Sequence, residues 1–600
     1  MTHLHRRARP SGPRLASLVV GVALALAASL PGAGALAQEA GGPPPAPILS
    51  GSDRFHPVLA RNGMVSSQEA LASTVGRDIL AAGGNAVDAA VATGFALAVT
   101  LPRAGNLGGG GFMMIHMAGA DGAAGETHAL DYRELAPAGA SRDMFLDEEG
   151  NADSNKSRYT GLAIGVPGTV AGLAAAHERF GSGRFTLGEL IAPAIALARE
   201  GFPVSDDLAG SLKRVHGRLS KDADAAAIFY KEDGGFYRTG EILRQPQLAA
   251  SLERIAREGV SGFYAGPVAE AVAARVAAAG GSMSVEDLAS YEAKWRAPVT
   301  GNYRGYEIAS MPPPSSGGVH IVEILNMLEP HDVAASGFGS AKTMHLMAEA
   351  MKRAYADRSE YLGDPDFVDV PARGLTSKDY AARRMADFDP ERAAAAGEIR
   401  PGDPAPYESN ETTHFSVIDK DGNAVSNTYT LNFSYGVGMV APGTGILLNN
   451  ELDDFSAKPG VPNAYGLIGG DANAVAPRKR PLSSMSPTLV FRDGRPVIAT
   501  GSPGGSRIIT TTLQVILNVV DHGMNIAEAS AAPRMHHQWL PDEIRIEEGF
   551  SPDTLKLLEG MGHTIAEKAT MGSTQSVMVV PGGLAGAADP RRQGSLATGY

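Results

Sequence analysis

The sequence predicts an α/β protein, and three observations carry that reading. Residues 415–418 and 425–431 are strand-like segments about a turn at 419–423, the pattern of a β-hairpin. Segments with helical periodicity recur on both sides of it, at 169–179, 187–200, 341–361 and 506–520. The composition, 44% hydrophobic and 20% charged over 600 residues, is that of a globular protein able to bury a large core. Spacing alone leaves several α/β architectures open.

The chain begins with a processing signal. Arg6, Arg7, Arg9 and Arg14 form a basic region, residues 15–30 an apolar run, and Ala35-Leu36-Ala37 a small-residue cleavage site. That is the pattern of a secretory signal peptide over 1–37, removed after Ala37. The run is short for a bilayer span. The expected location of the mature protein is therefore exported, periplasmic or secreted. Its net charge of −13 argues against a nucleic-acid surface. With no cysteine, disulfides, thiolate metal sites and cysteine nucleophiles are excluded together.

Residues 38–55 are rich in Pro, Gly and Ser and predict a loose arm. Helical periodicity over 68–82 stops at Gly83-Gly84, and Asn85 is placed to cap a second helix over 86–99. The glycines of 105–111 lead into a strand at 112–117, and no Lys-Ser or Lys-Thr follows them, so they suit close backbone approach rather than a phosphate loop. A strand at 127–132 ends at Arg133, which unaided reads as a surface charge. Helices at 169–179, 187–200, 245–257, 268–279 and 284–294 predict an all-helical layer. A strand at 303–311, a stiff Pro312-Pro313-Pro314 and helices at 319–328 and 341–361 precede a long polar connection over 371–410. After the hairpin come a strand at 443–450, a flexible loop at 458–470 holding Tyr465, strands at 488–491 and 497–501, a helix at 506–520, a helix at 555–561 and a final strand at 574–580. Gly504-Gly505 stands just before the helix at 506–520, where free backbone N–H groups make a site for an anion.

At the head of the hairpin stand Thr412-Thr413-His414. Threonine favours strands, so the pair can simply begin one. It can also be a nucleophile. A threonine hydroxyl needs a base beside it, and the α-amine of the same residue serves once that residue is an N-terminus, since it titrates near ~7.7–8.0. The surrounding residues favour the second reading. Glu411 to Val417, Thr428-Tyr429-Thr430-Leu431-Asn432, Asn449 to Phe455, Arg480 to Pro487 and Gly501 to Ser506 together resemble the γ-glutamyltranspeptidases. So do Gly105 to Phe112, Asp131-Tyr132-Arg133-Glu134 and Met311 to Gly318, so the likeness spans nearly everything after the leader.

That resemblance implies an N-terminal-nucleophile hydrolase with an αββα sandwich, two stacked antiparallel sheets flanked by helices. It implies self-cleavage between Glu411 and Thr412, giving a large subunit (38–411) and a small catalytic subunit (412–600) that form one composite domain. By resemblance Thr412 attacks the γ-carbonyl of glutathione or another γ-glutamyl compound, Thr430 orients it, and the Gly504 and Gly505 N–H groups hold the oxyanion. The substrate's α-carboxylate would meet Arg133, Ser483 and Ser484, and its α-ammonium Asn432, Glu451 and Asp454. Tyr465 would sit in a lid, and water or an amino-acid or peptide acceptor would take the glutamyl group. No cofactor or metal is implied, and His414, His536 and His537 are ligands only in principle. Two alternatives stand beside this: an acylase of the same fold acting on other amides, such as a cephalosporin-type acylase, and an exported solute-binding protein, which would leave the threonine motif without a role.

Overall fold

Two seven-stranded sheets, each wholly antiparallel, organise the molecule. The computed structural model describes residues 54–119, 125–404 and 414–600; the leader, Glu411 and Thr412 lie outside them. The first sheet runs Leu596–Gly599, Gly63–Ser67, Phe415–Asp419, Ala424–Thr430, Gly110–Met117, Glu126–Tyr132, Lys294–Arg296. The second runs Val58–Ala60, Gly583–Ala588, Gln575–Val580, Arg495–Thr500, Thr488–Arg492, Tyr306–Ser310, Val299–Tyr303.

Strand alternation sorts the side chains into layers. In the predicted hairpin, Phe415, Val417, Val425 and Tyr429 enter a core shared with helices, while Ile418 and Ala424 face the other sheet. There they meet Leu489, Ala499 and Val577, so the small and apolar inner faces of both sheets make a thin central core. Outside the first sheet lies Ala86–Thr100, a helix buried along its whole length, with Leu187–Glu200 and Pro246–Glu258 beyond it. Its entry is the predicted one: the Asn85 side chain accepts from the Val87 and Asp88 N–H groups in a capping box. Outside the second sheet lie Gly317–Leu328, Ala341–Tyr361 and Arg507–Val520. The four layers are the expected αββα sandwich. No helix among the described residues is long and apolar enough to cross a membrane.

The glycines of 105–111 admit the close approach their pattern suggests. A Cβ on Gly109 would lie 1.9 Å from the Thr430 carbonyl oxygen, so only glycine lets these strands meet.

Several expectations need correction. The helix expected over 284–294 is only Val285–Ala289, and Lys294–Arg296 instead adds an edge strand beside Glu126–Tyr132. The strand expected over 303–311 is the second arm of a hairpin, Val299–Tyr303 with Tyr306–Ser310, turning at Arg304 with φ 50° and Gly305. The segment 443–450 belongs to a short two-stranded pairing, Val440–Ala441 with Ile446–Leu447. The connection over 371–404 holds the helices Ala372–Leu375 and Lys378–Arg384. The strand at Gln575–Val580 is not the final one, because Gly583–Ala588 and Leu596–Gly599 follow it. The helix Asp206–Leu219 was not anticipated.

Candidate active site

The end of the strand Ala424–Thr430 opens into a cavity that gathers most of the residues singled out above: Thr430, Asn432, Glu451, Asp454, Tyr465, Ser483, Ser484, Gly504 and Gly505. The chain turns sharply at this strand end. Thr430 Oγ1 accepts from the Asn432 N–H at 2.8 Å, and Asn432 takes a left-handed φ of 69°. The Asn432 side chain donates to the Asn450 carbonyl at 2.9 Å and accepts from the Tyr465 hydroxyl at 2.5 Å.

Tyr465 closes one side. Its ring lies where a side chain on Gly505 would be, with 2.5 Å between that absent Cβ and Tyr465 Cδ1. Gln538 Nε2 donates to the carbonyls of Tyr465 at 3.3 Å and Gly466 at 3.2 Å, tying the loop to the body. Gly504 at φ 140° and Gly505 at φ 58° form the turn that leads into the helix Arg507–Val520. Successive residues of positive φ before a helix start are a favourable setting for negative charge.

Arg133 stands behind this cavity rather than in its wall. It is fully buried; Nη1 donates to Glu451, Nη2 to Asp454 at 2.8 Å, and Nε to the Pro481 carbonyl at 3.3 Å. Glu134 is a third carboxyl 3.8 Å away, fully buried, with neither oxygen hydrogen-bonded among the described residues. One guanidinium thus serves three carboxyls. Burial opposes the Arg133 charge, but Glu451 and Asp454 outweigh it and hold its pKa above the ordinary value. Burial pushes the carboxyls up against the pull of Arg133: Asp454 to about 6, Glu134 to about 7, and Glu451 well above its usual range. Even with Arg358 as a second cation acting on Asp454, the carboxyls outnumber the positive charges.

Ser483 and Ser484 follow Pro481 and Leu482, whose carbonyls accept from Arg133, and line the cavity beside it. Their loop is held by Ser316, whose N–H and hydroxyl donate to the Ser483 carbonyl at 3.2 and 2.9 Å. Arg358, which the sequence did not single out, lines the cavity here; Nε donates to Ser316 Oγ at 3.0 Å and Nη2 to Ser484 Oγ at 3.4 Å. It was hidden because it is one of several charged residues buried along Ala341–Tyr361, with Glu349, Lys352, Arg353 and Asp357, and nothing local sets it apart from them.

The histidines separate into different settings. His414 is buried between the strands, against Ser416, Ser426 and Thr428, and burial pushes it down to about 3, so it is neutral. His536 bonds Thr510 and Gln538, and His537 bonds Asp542. Elsewhere His345, Glu349 and His563 cluster closely enough to hold a metal ion. There the Glu349 oxygens already accept from Lys352 at 2.9 Å and Arg353 at 2.7 Å, so the group is satisfied as a hydrogen-bond network.

Residues 72–599 match the family model described as gamma-glutamyltranspeptidase. The chain is 58% identical over 581 residues to the glutathione hydrolase proenzyme of Escherichia coli, covering 96% of this chain and 98% of that protein. Among solved structures, a cephalosporin acylase from Bacillus halodurans superposes with a TM-score of 0.80 at 29% identity, covering 91% of this chain and 97% of that one. A Helicobacter pylori gamma-glutamyltranspeptidase chain matches with a TM-score of 0.55 at 46% identity, covering 58% of this chain and 97% of that one.

Proposed function

The chain belongs to the γ-glutamyltranspeptidase family, that of the glutathione hydrolases, and from that premise we propose how its own residues carry the reaction. The relatives' proenzyme names, and solved chains that match only part of this one, point to a two-subunit enzyme made by processing. In our reading the cut falls between Glu411 and Thr412. The fragments are 38–411 and 412–600, after an exported precursor loses residues 1–37.

Thr412 is the nucleophile. His414, two residues further along the chain, packs beside Gly501, at the start of the Gly504-Gly505 loop. In the precursor the Thr412 hydroxyl adds to the Glu411 carbonyl, the C–N bond breaks as the acyl group shifts to oxygen and frees the Thr412 α-amine, and water hydrolyses the resulting ester to the Glu411 carboxylate and the Thr412 hydroxyl. In the processed enzyme that amine takes the hydroxyl proton as Thr412 Oγ attacks the γ-carbonyl of a γ-glutamyl amide such as glutathione. The oxyanion forms against the Gly504 and Gly505 N–H groups. The C–N bond breaks, the proton passes to the departing amine, and a γ-glutamyl ester remains for water or a second amine.

The observation that carries the substrate assignment is the three-carboxyl cluster around Arg133. A γ-glutamyl group brings an ammonium and a carboxylate on one carbon. The ammonium satisfies Glu451 and Asp454. As it does so, Arg133 exchanges carboxylate partners, and the substrate α-carboxylate takes its place between Arg133, Ser483, Ser484 and Arg358. An amide without the ammonium would leave the cluster short of positive charge, which disfavours the acylase alternative despite the fold likeness.

N-terminal sequencing of the purified protein tests this. Two fragments are expected, the smaller opening Thr-Thr-His-Phe, together with turnover of a γ-glutamyl anilide. Thr412→Ala should yield one uncut chain without turnover. Cleavage at the same bond in that variant would mean another residue is the nucleophile.

A further inference from the structure

A second cavity, of about 580 Å³, is lined by the C-terminal parts of the helices Asp206–Leu219 and Gly266–Ala278 and by residues 437–439. Its charged lining is Arg214, Arg218, Lys221 and Arg275 against a single carboxylate, Asp222. Arg214 and Arg218 stand four positions apart, so they share one face of their helix. The Arg218 stem packs on Gly438, where an added Cβ would lie 2.8 Å from Arg218 Cγ, so the loop at 437–439 fixes the guanidinium in the wall. The Tyr159 ring, 6.0 Å from that guanidinium, closes another side.

The one carboxylate is already engaged. Asp222 Oδ1 accepts from the Ala225 N–H at 2.9 Å, as the cap of the helix Ala223–Phe229, and from the Val440 N–H at 3.3 Å. Asp222 Oδ2 accepts from Arg275 at 2.5 Å. Among the described residues Arg275 is the only one of the four cations paired with a carboxylate. Arg218 Nη2 donates to the Ser434 carbonyl, but Arg218 Nε and Arg275 Nε are buried and have no acceptor among the described residues. Burial lowers the Arg218 pKa against the pull of Tyr159. Cations do favour helix C-termini, and Arg218 and Arg275 sit in last turns. That effect offsets only roughly half an elementary charge per helix end, and it gives the two Nε groups no acceptor.

We propose that Arg214, Arg218, Lys221 and Arg275 form a binding site for a small, multiply charged oxyanion, of phosphate or polycarboxylate type. Four cations against Asp222 leave a net charge of three, which a single carboxylate would not balance. Guanidinium forks match the oxygens of either anion. A concave wall suits a small ligand, and the protein's net charge of −13 opposes a long polyanion. None of the four residues lines the catalytic cavity, so the site is independent of the γ-glutamyl chemistry. The two cavities meet at the Ser434 carbonyl, which accepts from Arg218 while Ser434 lines the catalytic side.

The experiment is calorimetric titration of the processed enzyme with inorganic pyrophosphate and with citrate, at ionic strength held constant with chloride. Saturable binding of either probe is expected, and the tighter of the two identifies the ligand type. Arg218→Gln should weaken it by roughly tenfold or more, the worth of one charge-assisted hydrogen bond. Arg214→Gln with Lys221→Gln, at exposed positions little able to disturb folding, should weaken it by about tenfold, as for two exposed charge pairs. Turnover of a γ-glutamyl anilide should stay near wild type in that double variant. Saturating L-glutamate should leave pyrophosphate binding in place. Absence of saturable binding for both probes would overturn the proposal, and so would wild-type affinity in both variants. Full displacement by L-glutamate would overturn it too, by putting the anion in the catalytic cavity.

Discussion

Two buried ion clusters in this protein use the same side chains to opposite ends. Around Arg534, two guanidiniums face two carboxylates. Arg534 bonds Asp589 at 2.5 Å, and Arg591 bonds Glu547 at 2.5 Å and Asp589 at 3.2 Å. Asp589 Oδ2, the oxygen that faces Arg534, also accepts from the Thr574 N–H at 2.8 Å, and Glu547 Oε1 accepts from the Met571 N–H at 2.5 Å. Charge and hydrogen bonds balance, and although burial alone would raise it, Arg534 and Arg591 hold the Asp589 pKa below its ordinary value. Around Arg133 one guanidinium faces three carboxyls; neither Glu134 oxygen is hydrogen-bonded among the described residues, and the carboxyl pKa values are raised. A balanced buried cluster is finished by folding. An unbalanced one is finished by a ligand.

The largest effect should come from breaking the balanced cluster. Asp589→Ala leaves Arg534 and Arg591 without their shared carboxylate, where the buried charge cannot be relieved by protonation. A loss of about 3–5 kcal/mol is expected, read as a lowered denaturation midpoint with an unchanged m-value. A midpoint near wild type would mean that Glu547 alone neutralises both arginines.

The unbalanced cluster should respond the other way. Asp454→Asn removes a carboxylate that burial already disfavours, so thermal stability should hold or rise. Turnover should not survive intact. With the ammonium left less well paired, kcat/KM for a γ-glutamyl anilide should fall by about 10², the equivalent of ~2.7 kcal/mol. Cleavage of the precursor should persist, because the Glu411 carbonyl presents no free ammonium. A large stability loss in Asp454→Asn would erase the distinction between the two clusters.

How much of this was legible in the sequence depends on the range of the interaction concerned. The helix Ala341–Tyr361 was read residue for residue, since its period repeats over many turns. Lys294 reads locally as a helix end, and Trp295 and Arg296 remain unassigned, because three residues carry no period; their strand character comes from Glu126–Tyr132 beside them. Gly583–Ala588 was missed because glycine and alanine are poor strand formers, and the inner layer selects them for size. Asp206–Leu219 did carry signals, a Ser205 cap and an acidic first turn, which went unused. For the site, motif resemblance supplied the list of residues, and the cavity gathers nearly all of them. It could not supply the pairing of Arg133 with Glu451 and Asp454, more than 300 positions away along the chain. Nor could it supply Arg358, which sits on a helix whose period reads as packing.

The smallest effect expected is a pH dependence, and its sign follows from the unbalanced cluster. Asp454 titrates near 6 and Glu134 near 7 because burial favours their neutral forms. Both lie above the ordinary carboxyl value, so the protonated forms stabilise the fold, and stability contributed this way declines as pH rises through that window. An ammonium at Glu451 and Asp454 favours the ionised forms, so binding should strengthen over the same window. Turnover is a poor probe, since the proposed base, the Thr412 α-amine, would also have to lose its proton near ~7.7–8.0. Inhibition by L-glutamate avoids that, because it needs no nucleophile, and glutamate's own carboxyls titrate below pH 5. Its Ki should weaken by about tenfold from pH 8 to pH 5, the loss expected when a group near 6 becomes protonated. The Asp454→Asn variant should show a flatter profile. A wild-type Ki that stays constant across that range, or tightens toward low pH, would mean that these carboxyls are ionised without the ligand and that the cluster was balanced after all.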